Sequence, residues 1–256
     1  MQASFPDNNS VRSVERALDL LAVLEAADRP LGLSPLARAA GVPTTTALRL
    51  LTVLERRGLV EKDLGRYQLG TAIVSLSRAF LTRNTLSRAA LPILEELTVL
   101  SGETASLYAR RGFQRIIVQR VNSPNPVRFS IRVGEQLPLH LGSGGRVLTA
   151  AMPEEELRRF LDQLGEIRLA SGEILSREEF LAKLERVRRQ GFAVSLEERA
   201  IGVVSVAAPV VRSGKPVTVA VGVTGPPSRM TPERIELLSV EVRRAAADIA
   251  LAWSHV

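Results

Sequence analysis

The stretch GVPTTTALRLLTVLERRGLVEKDLGRYQLG, residues 41–70, decides the fold of the N-terminal region. Its middle predicts a helix over residues 44–57 that ends at Gly58. The apolar positions of this helix follow the spacing i, i+3, i+4 and i+7 and are Ala47, Leu50, Leu51 and Leu54. One face of the helix must therefore pack against other helices.

Two further helices are predicted before this stretch. The first starts near Ser13 and stops near the segment AADRP. The second begins at Ser34, a serine N-cap followed by Pro35 at the first helical position. It ends at Gly41, because glycine reaches positive φ without steric cost. A helix, a short glycine turn and a second helix are typical of the helix-turn-helix motif.

The face opposite the apolar stripe is polar. It consists of Thr45, Thr46, Arg49, Thr52 and Arg56. Threonines weaken a helix interior, but near its N-terminus they can cap it or contact phosphates, thymine methyl groups and base edges. Simple capping of a surface helix and recognition of DNA both fit this pattern.

The segment after the helix favours DNA recognition. LVEKD and RYQLG alternate apolar and polar residues around Leu64 and Gly65, which predicts a short β-hairpin. A hairpin directly after a recognition helix forms a wing, and Lys62 and Arg66 flank its tip. The predicted DNA contacts are Ser34, Thr44, Thr45, Thr46, Arg49, Lys62 and Arg66.

The remaining chain predicts a connector and a second domain. Residues 71–87 form an arginine-bearing helix without acids, and a further helix covers residues 88–100 and ends at Gly102. Helices are also predicted near Pro153, at Ser176 with Glu179 in a capping box, and at Thr231. The β-branched runs are TASLYAR, RIIVQRV, RFSIRV, FAVSL, VVSVAAPVV and VTVAVGVT. Hairpin connections such as RSGKP indicate an α/β (α+β) domain with a mainly antiparallel sheet flanked by helices.

Composition excludes several classes of function. The 256 residues contain no cysteine and only two histidines, His140 and His255, which argues against thiolate zinc sites, disulfides and histidine-based catalysis. No metal, cofactor or catalytic residue is therefore predicted. The sequence has neither a signal peptide nor an apolar run long enough to span a membrane, so we expect a cytoplasmic protein.

The net charge of +7 is spread along the chain. Residues 1–70 carry 9 Lys and Arg against 8 Asp and Glu, residues 71–90 carry 3 against none, and residues 91–256 carry 22 against 19. Because no segment is a polycation, any DNA binding must come from individually placed arginines.

Taken in order, these motifs resemble the IclR (isocitrate lyase regulator) family of bacterial transcription factors. The segments that carry the resemblance are LARAAGVP, the threonines followed by RLL, GRYQLG, GETASL, LPLHLGSGGRVLTA, GFAVSLEE, GVVSVAAPV and VTGPPSRM. The resemblance implies a winged helix-turn-helix, a linker helix and a GAF-like effector domain, with a dimer or tetramer on a palindromic operator. Together with the polar, Asn-rich composition of residues 1–10, the predicted elements give domain limits at residues 1–10 (a disordered tail), 11–70, 71–87 and 88–256.

The resemblance also places a pocket for a small carboxylate. The residues that it implies are Leu141, Gly142, Ser143, Gly144, Ser195, Val203, Ser205, Gly222 and Thr224. The chain departs from the glyoxylate-type pattern, which has an acidic residue in place of Ser195 and a serine in place of Gly222. Strand alternation puts the hydroxyls of Ser205 and Thr224 beside the N–H groups of residues 142–144, which predicts an anion site without a fixed cation. Gly222 removes a wall side chain, so we expect a ligand larger than a two-carbon acid.

Other interpretations of these residues are weaker or stay open. GSGG at residues 142–145 lacks the Lys-Ser/Thr of a nucleotide loop, and Ser143 and Ser205 lack the elbow and histidine partner of a serine hydrolase. His140 is predicted to be structural. Ser205 and Thr224 could be polar filler, and Arg128 and Arg132 could serve an interface or a pocket rim.

The sequence as a whole predicts a ligand-responsive transcriptional regulator, more often a repressor, and not an enzyme. Effector binding would change the geometry of the linker and so the spacing of two DNA-binding halves. The alternatives are a metabolic enzyme with a regulatory helical domain and a DNA-binding protein that needs no ligand.

Overall fold

The computed structural model describes residues 11–129 and 131–254. The chain divides into two compact units, Met1–Thr82 and Arg83–Val256. The predicted disordered tail, residues 1–10, lies outside the described residues, as does His255.

The first unit is built from helices and a small sheet. Its elements are α1 (Arg12–Ala26), β1 (Leu31–Gly32), α2 (Leu33–Ala39), α3 (Thr44–Arg56), β2 (Val60–Asp63), β3 (Arg66–Leu69) and α4 (Ala72–Arg83), whose last residue lies past the division. The predicted stripe of α3 faces the core, where Ala47 and Leu51 are fully buried against Leu20 of α1 and Leu36 of α2. The helix-turn-helix prediction is confirmed, and Gly41 in its turn has a φ of +64°.

The start of α2 differs from the prediction. The helix begins at Leu33 with Gly32 as its N-cap residue, and no side chain caps it. Ser34 is therefore inside the first turn and exposed to solvent. The prediction of Ser34 as N-cap was wrong because β1 holds residues 31 and 32 extended by pairing with β3, which moves the helix start forward by one residue.

The helices after the first sheet also begin elsewhere. A single helix over residues 71–87 was predicted, but α4 ends at Arg83 and α5 (Thr85–Ser101) follows after one residue. The break lies at Asn84, whose side-chain oxygen accepts a hydrogen bond from the Ser87 N–H at 3.0 Å. This N-cap starts α5 three residues before the predicted position. The predicted end at Gly102 is confirmed, with a φ of +68°.

The second unit contains a six-stranded sheet. Its strands follow the order β6-β5-β4-β11-β10-β9, and every pair is antiparallel. The strands are β4 (Thr104–Arg111), β5 (Gln114–Val121), β6 (Gln136–Pro138), β9 (Ala193–Leu196), β10 (Val204–Pro209) and β11 (Val219–Gly225), and a separate pair is β7 (Ile167–Arg168) with β8 (Ile174–Leu175). The helices are α5, α6 (Ser143–Ala150), α7 (Glu154–Gln163), α8 (Arg177–Gln190) and α9 (Pro232–Ser254).

Helices cover both faces of this sheet. One core cluster joins α5 and α9 to the sheet through residues such as Leu94, Val221 and Ile249. A second cluster joins α6, α7 and α8 to the other face through residues such as Ile117 and Phe180. Both faces are apolar, so β11 is buried along its whole length. The capping box of Ser176 and Glu179 is confirmed at the start of α8.

One predicted strand is wrong. The run RFSIRV, residues 128–133, has no strand assignment among its described residues. Arg120 donates hydrogen bonds to the carbonyl oxygens of Phe129 and Ile131 from the neighbouring strand β5. Side-chain donors thus satisfy this backbone, and β-branched composition alone did not reveal it. Among the described residues, no helix is long and apolar enough to cross a membrane.

Candidate functional site

The first candidate site is the exposed surface of α3. Thr44, Thr45 and Arg49 are exposed and Thr46 is half-buried. They are available at the N-terminal half of the helix because Ala47 and Leu51 turn the opposite face inward. Helix α3 starts after Pro43 without a side-chain cap, so the threonine hydroxyls do not cap its first N–H groups. The alternative that these threonines only cap a surface helix is thus not supported.

The second part of this surface is the wing formed by β2 and β3. Asp63 pairs with Arg66, and the two residues between them, Leu64 and Gly65, have φ of +45° and +77°. This is the backbone of a tight two-residue hairpin turn. Arg66 is exposed and donates a 3.4 Å hydrogen bond to the carbonyl of Pro30.

Lys62 also lies on the wing. It is exposed, with its ammonium 5.5 Å from the ring centre of Tyr67 on the adjacent strand. Lys62 and Arg66 thus each contact another residue of the first unit and remain exposed to solvent.

A cavity in the second unit lies between the sheet and α6. Its lining consists of Tyr108, Arg115, Ile131, Leu137, Gly142, Ser143, Gly144, Ser195, Arg199, Val203, Ser205 and Thr224. The space that the centre of a water molecule can occupy in this cavity is about 20 Å³. The cavity can therefore hold one or two water molecules. Seven of the nine predicted pocket residues line it.

Helix α6 lies close to the sheet because residues 144 and 145 in its first turn are glycines. A Cβ atom on Gly144 would lie 2.9 Å from the ring of Tyr108. Gly142 is the N-cap residue, and no side chain caps the helix. The N-terminal N–H groups of α6 are thus held at the cavity without a competing acceptor from a cap, as an anion site requires.

Three of the predicted hydroxyls form a row across the sheet. Ser195 pairs with Ser205 across β9 and β10, and Ser205 pairs with Thr224 across β10 and β11. The Ser143 hydroxyl of α6 donates a 2.8 Å hydrogen bond to the Ser205 hydroxyl. The predicted convergence of Ser205 and Thr224 on the start of α6 is therefore present.

The cavity has fixed cations, so the predicted anion site without a cation is wrong. Arg115 of β5 is 3% exposed and donates from Nη1 to the carbonyl oxygens of Pro138 and, at 2.8 Å, Leu141. The pKa of Arg115 is lowered to about 10, mainly by burial, while Tyr108 raises it and the charge of Arg199 lowers it. Arg115 stays charged at neutral pH.

Arg199 is the second cation. It is half-buried, and its guanidinium carbon lies 4.8 Å from the ring centre of Phe129. Burial lowers the pKa of Arg199, and Tyr108 and Glu135 raise it. The neighbouring Glu198 points elsewhere, because Arg146 and Lys183 bind its two carboxylate oxygens.

Two predicted pocket residues do not line the cavity. The carbonyl oxygen of Leu141 accepts a hydrogen bond from Arg115, and the Leu141 side chain does not line the cavity. A Cβ on Gly222 would lie 2.8 Å from the Cβ of Ala207. Gly222 therefore allows two strands to approach and does not widen the cavity, so the size argument built on it was wrong.

His140 is close to the cavity but not in its lining. It is half-buried, and its pKa is lowered first by burial and then by the charge of Arg115. A neutral ring beside Arg115 fits the predicted structural role. The residues that the structure describes contain no cluster of acidic or histidine side chains able to hold a metal ion.

Arg115, Arg199 and Tyr108 were not among the predicted site residues. Arg115 shares a strand face with Ile117, which is 1% exposed, but Ile116 on the other face is also apolar, so alternation did not show which face is buried. Tyr108 lies at a β-bulge between β4 and β5, which no sequence pattern marked. Arg199 follows two glutamates and is typical of a solvated segment, so nothing in its context pointed inward.

A helix-turn-helix with a wing, followed by an α/β domain with its own polar cavity, defines the class of this protein. Residues 13–64 match the IclR helix-turn-helix domain, and residues 78–251 match the C-terminal domain of the bacterial transcriptional regulator IclR. The chain belongs to the IclR family of bacterial transcriptional regulators. It is a DNA-binding transcriptional regulator, and the family is one of regulators, not of enzymes.

Individual relatives agree with this assignment. The transcriptional repressor IclR of Escherichia coli K12 is 28% identical over 255 residues, which cover 98% of this chain and 93% of that protein. The crystal structure of an IclR transcriptional regulator from Alicyclobacillus acidocaldarius is 30% identical with a TM-score of 0.83, covering 96% of this chain and 99% of that one. An IclR homologue from Microbacterium hydrocarbonoxydans has a TM-score of 0.76 at 22% identity, with coverage of 95% and 100%, and shares the fold.

Proposed function

We propose that this protein is a repressor that binds a palindromic operator and releases it, or holds it, in response to a small organic acid. The observation that carries the proposal is the cavity at the start of α6. Buried arginine, uncapped helix N–H groups and a row of hydroxyls converge there, and none of the described residues that line it is acidic. Repression is supported by the related repressor of Escherichia coli.

The operator is contacted through the first unit. Helix α3 would enter the major groove, with Arg49 and the exposed threonines facing base edges. Lys62 and Arg66 on the wing, and Ser34 at the start of α2, would contact phosphates. Operators lie on the bacterial chromosome, so the protein would act in the cytoplasm.

A carboxylate is the favoured chemistry for the ligand. Its oxygens would accept hydrogen bonds from the first N–H groups of α6, from Ser143 and from Arg115. Ser195, Ser205 and Thr224 would bind the remaining lone pairs through their hydroxyls. The Microbacterium relative was crystallised with 4-hydroxybenzoate, which supports organic acids as the first class to test.

Ligand binding must widen the cavity. The present volume of about 20 Å³ holds water only, so a carboxylate with a carbon skeleton separates α6 from the sheet or from the segment that carries Arg199. We propose that residues 71–87 transmit this change between the DNA-binding region, residues 11–70, and the effector domain, residues 88–256. The protein would act as a dimer or as a dimer of dimers.

A thermal-shift screen tests the proposal. Small mono- and dicarboxylic acids, including pyruvate, 4-hydroxybenzoate, glutarate and terephthalate, are added to the full chain with and without DNA of its own upstream region. An acid at 100 times its dissociation constant stabilises the protein by about 2.7 kcal/mol. Failure of every acid to raise the melting temperature would contradict the proposed effector class.

A further inference from the structure

Two arginines face one small cavity without a carboxylate partner. The Nε atom of Arg115 is buried and finds no hydrogen-bond partner among the residues that the structure describes. Arg199 has a ring contact with Phe129, and neither arginine has an ion pair with a described acid. Arg115 is 3% exposed, and a cation that is shielded from water without a counter-charge is unfavourable, so its site favours an anion. Arg199 is half-buried and lines the same cavity, so its charge adds to this preference.

Three acids near Arg199 have other partners. Glu198 is 7% exposed and binds Arg146 and Lys183, the latter at 3.2 Å. Glu197 accepts a hydrogen bond from the Gly202 N–H. Glu135 is near enough to raise the pKa of Arg199, but its Oε2 accepts a 3.0 Å hydrogen bond from the Arg132 N–H. None of these three acids forms an ion pair with Arg199 or Arg115.

The two guanidinium groups are held by different parts of the fold. Arg115 is fixed to the backbone of residues 138 and 141, next to the start of α6. Arg199 follows β9 and is held against Phe129. The two guanidinium groups are therefore held at different points of the cavity lining.

We infer that the ligand of this cavity carries two separate anionic groups and is a small dicarboxylate. One carboxylate binds at the start of α6, between Ser143 and Arg115, and the second binds Arg199. A monocarboxylate would pair with one cation and leave the other without an ion-pair partner. This inference rests on the proposed function, because it concerns the same cavity.

Matched pairs of acids test the inference by isothermal titration calorimetry on the full chain. The dicarboxylates are succinate, glutarate, adipate and terephthalate, and each is compared at constant ionic strength with its mono-amide, which has nearly the same shape and one charge fewer. The best dicarboxylate should bind about 10- to 100-fold more tightly than its mono-amide. Sulfate and inorganic phosphate are included as compact dianions.

The variant Arg199→Gln identifies the group that reads the second charge. It should reduce the dicarboxylate preference to less than about threefold and leave the affinity for the mono-amide within about twofold. The matched control is Arg189→Gln, an exposed arginine of α8, which should keep the full preference. Arg115 is not the test position, because its loss would also release the backbone of residues 138 and 141.

The other outcomes contradict either the two-anion inference alone or the proposed effector class with it. Equal binding of dicarboxylate and mono-amide, or an unchanged preference in Arg199→Gln, contradicts the two-anion inference and leaves the proposed carboxylate site standing. Sulfate or phosphate binding as tightly as the best dicarboxylate contradicts two separate groups. If no acid of either kind binds, the proposed effector class fails together with the inference.

Discussion

The hydroxyl of Ser143 donates a 2.8 Å hydrogen bond to the hydroxyl of Ser205, which ties the first residue of α6 to strand β10. Both hydroxyls line the cavity, and a carboxylate bound between them would replace this bond. Ser205→Leu should fill the cavity and abolish the response to acid, with operator affinity within about twofold of wild type. Operator binding with and without the acid, measured by fluorescence anisotropy, checks this.

A control on the same strand separates blocking from unfolding. Val204 is 3% exposed and packs on the opposite face of the sheet. Val204→Leu overpacks that face without touching the cavity, so it should keep the response. A normal response in Ser205→Leu would place the ligand elsewhere.

Arg49 and Arg66 should affect DNA binding in different ways. Arg49→Ala should weaken specific binding by about 1 to 3 kcal/mol if Arg49 makes a bidentate contact with a base. Arg66→Ala should lower affinity evenly across sequences and reduce the salt slope by about one unit, because it removes one phosphate contact. Gel shifts on specific and scrambled DNA measure both, with Arg189→Ala as the charge-matched control. Wild-type binding by both variants would rule out the proposed placement of α3 and the wing.

Leu64 at the tip of the wing is strained. It has a φ of +45° and is 94% exposed, so it has the cost of the left-handed region without the benefit of burial. Leu64→Asn should stabilise the hairpin by about 0.5 to 1 kcal/mol, because asparagine tolerates this region. Hydrogen exchange of the β2 and β3 amides should slow by about two- to fivefold. Faster exchange would show that the leucine side chain stabilises the wing by packing.

Helix α4 should carry a contact between two copies of the chain. It has no buried residue, and Leu76 and Phe80 are 59% and 42% exposed on the predicted apolar stripe with Ile73. Leu76→Glu combined with Phe80→Glu should shift the protein toward monomer in sedimentation velocity, and Ser75→Glu on another face should not. A wild-type monomer at micromolar concentration in the presence of DNA would reject the dimer.

The sequence predicted the first unit well because its signals are local. The stripe of α3, the glycine turn and the Leu64–Gly65 hairpin each depend on residues close in the chain, and the structure confirms them. The hydroxyl row was also accessible, since strand alternation places Ser205 and Thr224 on one face. The two arginines of the cavity could not be predicted, because Arg115 and Arg199 are far apart in sequence and come together only through the order of the strands. The prediction that Gly222 widens the cavity failed for the same reason, because only the strand register shows that Gly222 faces Ala207.

The most direct test of the account is reciprocal coupling between acid and operator. The operator is located by footprinting the upstream region, and the acid is the one with the largest melting shift. We predict that the acid changes operator affinity by about 5- to 150-fold, and that the operator changes acid affinity by the same factor. Acid binding that leaves operator affinity unchanged would contradict a ligand-responsive regulator.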